Sequence, residues 1–124
     1  MKGYFGNIEQ DTLANNFFRR VVFTGPKSQL VLMSLLPSEE IGTEIHPDND
    51  QFFRFEKGVG KVIIDGAEYD VTDGNAVVIP AGAEHNIINT STIEPLKMYT
   101  IYSPAHHPDG TIHKTKAEAL AAEH

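Results

Sequence analysis

An imidazole delivered to the inside of a small β-barrel is a good metal ligand when partners arrive from another strand, and His85 stands where that could happen. It belongs to the stretch Gly74-Asn-Ala-Val-Val-Ile-Pro80-Ala-Gly82-Ala-Glu-His85-Asn-Ile-Ile-Asn89, which reads as G-x5-P-x-G-x2-H-x3-N. Pro80 and Gly82 impose a tight turn that neither a helix nor a central strand accepts, so the chain reverses there and starts a new strand near His85. On that strand His85, Ile87 and Asn89 share one face. Upstream, Glu44, His46 and Gln51 offer carboxylate, imidazole and amide donors. Glu44 and His46 are two apart, so on a strand both point inward, where Gln51 and His85 could meet them.

The elements that must position these residues are strands. From Val21 onward, short apolar runs are punctuated by Gly, Pro, Asn and Asp, the pattern of an all-β sandwich or barrel. Strands are predicted over Val21–Thr24, Leu30–Leu36, Glu44–Pro47, Gln51–Lys57, Gly60–Asp65, Ala67–Val71, Ala76–Ile79, His85–Asn89 and Leu96–Tyr102. Asp65-Gly66 is a two-residue hairpin signal, because both turn positions require positive φ. The segment from Ile8 to Phe18 is open to one helical turn or an extended arm, since Asn15-Asn16 weakens a helix. Thr115-Lys-Ala-Glu118 reads as a capping box and predicts a short C-terminal helix to about Ala122.

The 124 residues, 40% hydrophobic, are expected to make one domain. No cysteine is present, which excludes disulfides, thiolate metal sites and cysteine nucleophiles, so any metal must take nitrogen and oxygen ligands. With no basic apolar leader and no long apolar run, the expectation is a soluble cytoplasmic protein without a membrane partner. A net charge of -7 opposes binding to nucleic acid or anionic membranes. Arg19-Arg20 is too short a basic run to alter this.

With these motifs assembled, the chain resembles the cupin superfamily, and within it the small, RmlC-like, single-domain cupins. The resemblance implies a jelly-roll β-barrel, conserved over about 31–102, between an N-terminal arm (1–20) and a C-terminal tail with its helix (103–124). The family's first motif, G-x5-H-x-H-x3 or x4-E-x6-G, aligns when Gly58 is its closing glycine. Ser38 then replaces the leading glycine, Glu44 the first histidine and Gln51 the glutamate, while His46 is retained. A rival frame starting at His46 would put Phe52 or Phe53 at the glutamate position, and phenylalanine cannot ligate a metal. The family site of three imidazoles and one carboxylate carries one negative charge. Glu44, His46, Gln51 and His85 also carry one. The resemblance therefore implies one divalent first-row metal, Fe, Mn, Ni, Co or Zn, held by these four residues. Against it stands a metal-free, hydrogen-bonded network of Glu44, His46 and Gln51.

Strand parity adds Phe53, Phe55 and Ile87 to the inner face as a dry wall, either substrate pocket or plain core. Outward Phe52, Ile63 and Ile88 suggest an apolar interface and hence a homodimer, unless they pack beneath the chain's own termini. His106-His107, among Pro104, Pro108 and Asp109-Gly110, read as solvent-exposed turn histidines, and His113 and His124 carry no readable signal. Tyr99 and Tyr102 are hydroxyl candidates for a ligand. Three functions follow: a metalloenzyme performing isomerase-like Lewis-acid chemistry on a small oxygenated metabolite, with Glu44 as general base if it is not a ligand; an Fe(II)-dependent dioxygenase; or a non-catalytic small-molecule binding module.

Overall fold

Alternation of inward apolar and outward polar residues along short runs resolves into two antiparallel sheets packed face to face. The computed structural model describes residues 1–122, with elements α1 (Ile8–Ala14), β1 (Arg19–Thr24), β2 (Gln29–Leu35), β3 (Glu44–Ile45), β4 (Asp50–Lys57), β5 (Val59–Ile64), β6 (Ala67–Thr72), β7 (Ala76–Ile79), β8 (Glu84–Asn89), β9 (Leu96–Ser103), β10 (Ile112–His113) and α2 (Lys116–Ala122). One sheet runs β10-β1-β2-β9-β4-β7 and the other β3-β8-β5-β6. The jelly-roll reading is thereby realised, with each predicted strand found to within about two residues. Only the two-residue β10 is an addition. No helix among the described residues is long and apolar enough to cross a membrane.

Register fixes what points inward. Gln51, Phe53 and Phe55 on β4 stand opposite Tyr102, Thr100 and Met98 on β9, which in turn face Gln29, Val31 and Met33 on β2. Across the sandwich, Ile64 and Val62 pair with His85 and Ile87. The interior is therefore divided along its length. Gln29, Gln51, His85 and Tyr102 line one end, while Val31, Met33, Phe53, Phe55, Val62, Ile87 and Met98 form the dry core below.

The far end is closed by Asn89, the last residue of the second motif. Its Nδ2 donates to the carbonyls of Leu35, Leu36 and Glu94, and its Oδ1 accepts the amide of Ser91. This asparagine is structural: it ties the exit of β2 to the approach to β9. Gly58 is also structural. Its φ of +107° is left-handed, and an added Cβ would lie 2.6 Å from the Pro95 carbonyl oxygen, so only glycine fits the turn from β4 to β5. The Asp65-Gly66 hairpin turn has positive φ at both residues, 47° and 84°, as its sequence requires.

Both helices owe their starts to capping. Asn7 accepts the amide of Gln10 at 3.0 Å and begins α1, settling the segment the sequence leaves open. Lys97 then pins the end of α1 to the outside of β9, donating to the Asn15 carbonyl and to Asn16 Oδ1 at 2.8 Å. In α2 the amide of Glu118 donates to Thr115 Oγ1 at 3.1 Å, as the capping-box pattern predicts. The three residues expected to form one outward apolar patch are divided between sheets. Phe52 lies on the six-stranded sheet against Tyr99, whereas Ile63 and Ile88 lie on the four-stranded sheet, all half-buried.

Candidate functional site

The two motifs meet through the backbone. Glu44 of β3 pairs directly with His85 of β8, and the Gly82 amide of the Pro80–Gly82 turn donates to the His46 carbonyl at 3.0 Å. The turn thus sets both histidines in place. His46 and His85 are 6% and 4% exposed, with ring centroids 5.2 Å apart. Gln51, 3% exposed, donates from Nε2 to Thr100 Oγ1 at 3.1 Å. Glu44, Gln51 and His85 lie at this end of the sandwich on the strands expected to carry them, while His46, expected on a strand to Pro47, lies just beyond the end of β3.

Their donor atoms are the test for a metal. His85 Nδ1 lies 3.0 Å from the Ala83 carbonyl, which can only accept, so Nδ1 carries the proton and Nε2 the lone pair. His46 Nε2 and Gln51 Oε1 are buried without a hydrogen-bond partner. The nearest carboxylate oxygen to His46, Glu44 Oε2, is 3.7 Å from Nε2, too long for a hydrogen bond. Burial, with His106, His85 and Arg19 close by, pushes His46 from 6.5 down to about 4, so its imidazole is neutral near pH 7. A neutral imidazole with an unused nitrogen beside an unused amide oxygen is suitable ligand chemistry. Among the described residues no three His, Asp or Glu side chains are spaced to hold an ion by themselves, so three-point ligation depends on Gln51.

The site is larger than the sequence reading made it. His106 is exposed, as expected, and His107 half-buried, but the segment folds back toward the site, bringing the His106 ring to 4.2 Å from His46 at a tilt of 59° and stacking it 5.2 Å from Tyr102. Gln29, wholly buried, holds this segment, accepting from the amides of His106 and His107 at 3.1 and 3.0 Å and donating to the His107 carbonyl at 2.8 Å. His107 Nε2 lies 3.3 Å from the Tyr102 hydroxyl. Burial first, then Arg19 and the neighbouring histidines, pushes His107 down to about 3. Burial pushes the Tyr102 phenol well above its ordinary value, so it stays a protonated donor. Tyr102 therefore faces inward, and Tyr99 outward against Phe52.

Arg19 is the other residue that sequence reasoning missed. It opens β1, is 4% exposed, and its Nη1 lies 3.2 Å from His113 Nδ1. The signal was parity with Val21, which places it on the inner face. His113 comes in with it on β10, while His124 lies outside the described residues. Phe53, Phe55 and Ile87 are at most 1% exposed and line neither cavity that Arg19 borders. Their place is the core beneath the site.

Comparison with known proteins agrees with this arrangement. Residues 31–102 match the cupin domain. The chain is 52% identical over 113 residues, 88% of this chain and 70% of the relative, to uncharacterized protein L612 of Acanthamoeba polyphaga mimivirus. It is 48% identical over 128 residues, 98% of this chain and 68% of the relative, to uncharacterized protein YrkC of Bacillus subtilis. The crystal structure of BH2720 from Bacillus halodurans superimposes with a TM-score of 0.94 at 45% identity, covering 97% of this chain and 95% of that one. TT1209 from Thermus thermophilus, at 23% identity and a TM-score of 0.71 over 81% of this chain and 96% of that one, shares the fold. With the jelly roll, both motifs and the inward histidines accounted for over the matched residues, this chain belongs to the cupin family.

Proposed function

We propose that this chain binds one divalent first-row metal ion, Fe, Mn, Ni, Co or Zn, through His46, His85 and Gln51, with the Glu44 carboxylate turning in to complete the set, and acts on a small oxygenated metabolite by isomerase-like chemistry. The observation that carries the proposal is the pair of buried polar atoms without a hydrogen-bond partner, His46 Nε2 and Gln51 Oε1. A buried polar atom without a partner costs about 1–3 kcal/mol, so a coordination bond is a physical reason for the pair to exist. The bound ion would polarise a substrate oxygen as a Lewis acid. Tyr102 supplies a protonated hydroxyl for a developing oxyanion, and Glu44, beside His46, is the group able to take up a proton if it is not a ligand. His106, its ring 4.2 Å from that of His46 and tilted to it, borders the imidazole on the outer side.

The test is elemental analysis of untagged protein purified without chelator and again after reconstitution with each of the five ions. Near-stoichiometric metal per chain is expected. If no ion is retained in either preparation, the metal reading fails and a metal-free binding module takes its place. The dependence of three-point ligation on a neutral amide already favours that second reading over an iron dioxygenase. Oxygen uptake by iron-loaded protein with aromatic or diketone substrates would restore the latter.

A further inference from the structure

A cavity of about 330 Å³ adjoins the histidine site, bordered by Arg19, His106, His107, Thr111 and His113, with Ala122 of α2 at its rim. Among the described residues none of those lining it is acidic. The charge at its wall is the Arg19 guanidinium, which has a permanent positive charge and only donors to offer. Arg19 is 96% buried by its 4% exposure, lies 5.3 Å over the Phe18 ring, and spends Nη1 on His113. Its Nε is buried and has no hydrogen-bond partner. Among the described residues no carboxylate reaches ion-pair distance from it; Glu44, which shares a second cavity of about 170 Å³ with Arg19, is directed to His46 instead. Buried charges in folded proteins are paired, because an unpaired one forfeits its hydration without return.

We infer that this cavity receives the carboxylate of a small organic acid, with Arg19 as its counter-charge. Four features select the ligand. There is one permanent cation, which matches a monoanionic group better than a phosphate dianion. A guanidinium edge matches the planar carboxylate. Arg19 Nε, a buried donor without a hydrogen-bond partner, is a group that a carboxylate oxygen would satisfy. The volume exceeds that of a few waters and admits a molecule of several heavy atoms. The neutral state imposed on His107 by burial keeps further positive charge out. None of this requires a metal, so the proposal stands or falls separately from the ion.

The experiment uses the full chain after dialysis against chelator and measures thermal unfolding and calorimetric binding with propionate, its neutral isostere propionamide, and inorganic phosphate. Saturable stabilisation by propionate, none by propionamide, and weaker binding of phosphate are expected. Arg19→Gln should lower propionate affinity by about 10- to 100-fold, the range for a hydrogen bond to a charged group. Equal effects of propionate and propionamide, or no saturable effect of propionate, would overturn the proposal, and tighter binding of phosphate would replace the carboxylate with a phosphoryl group. If Arg19→Gln does not fold, Ala122→Phe, on the exposed rim of α2, partly fills the cavity while leaving Arg19 in place. Lost binding supports the assignment and undiminished binding overturns it.

Discussion

Gln29 and His107, 78 positions apart, are joined by a reciprocal pair of hydrogen bonds: the Gln29 amide nitrogen donates to the His107 carbonyl, and the Gln29 oxygen accepts the His107 amide. One buried side chain therefore sets the position of the segment that covers the site. Gln29→Ala is expected to cost about 2–3 kcal/mol, since it strands buried donors and an acceptor at once. Hydrogen exchange should quicken at the amides of His106 and His107 before it does in β9. Unchanged protection of those two amides would remove Gln29 from this role.

Replacing a metal ligand should separate occupancy from folding. Glu44→Ala, His46→Ala and His85→Ala are each expected to lower divalent-metal affinity by at least about 10-fold, the loss typical of disturbing even a group outside the ligand shell. Far-UV circular dichroism should stay that of a β-sandwich, because the dry core lies below the site. Gln51→Glu, which adds the carboxylate that the family pattern has there, should tighten binding. Full metal content in the three alanine variants would exclude these ligands.

Acidification should destabilise the metal-free protein through His107. Its folded value of about 3 lies below the 6.5 of an unfolded chain, so between these limits the unfolded state binds more protons. Stability therefore rises with pH from about 3 to 6.5 and falls on the return. His107→Gln should flatten the dependence of unfolding free energy on pH in that window, leaving a residual slope from His46. Parallel profiles for the two proteins would show that the His107 ring is solvated in the folded state.

Gly58→Ala should destabilise the fold by about 1–3 kcal/mol or more, combining left-handed strain with the 2.6 Å approach to the Pro95 carbonyl. Urea unfolding measures it directly. An effect below about 0.5 kcal/mol would mean that the turn relaxes.

What the sequence showed and what it hid divide by range. The hairpin at Asp65-Gly66, the Pro80–Gly82 turn and the cap at Thr115 were legible because each depends on the backbone preferences of adjacent residues. Inward parity was legible too: it put His85 and Gln51, both buried, on the inner face. The return of the exposed His106 and the half-buried His107 toward the site was not, since the buried Gln29 that captures their backbone lies on a distant strand. β10 is similarly nonlocal, two residues held by the pairing of His113 with Arg19. Arg19 itself was overlooked because a charged residue before Val21 reads as the solvent edge of a strand, when its parity was already inward.

The lengthwise division of the interior makes this barrel a scaffold that can be re-tuned. Gln29, Tyr102 and Gln51 sit side by side on β2, β9 and β4, each near a strand end, with Val31, Thr100 and Phe53 next on the same face. A designer could exchange that row for other polar groups while the Val31, Phe53 and Met98 tiers beneath keep their packing. Evolution has the same freedom, which lets one barrel acquire a different chemistry by few substitutions.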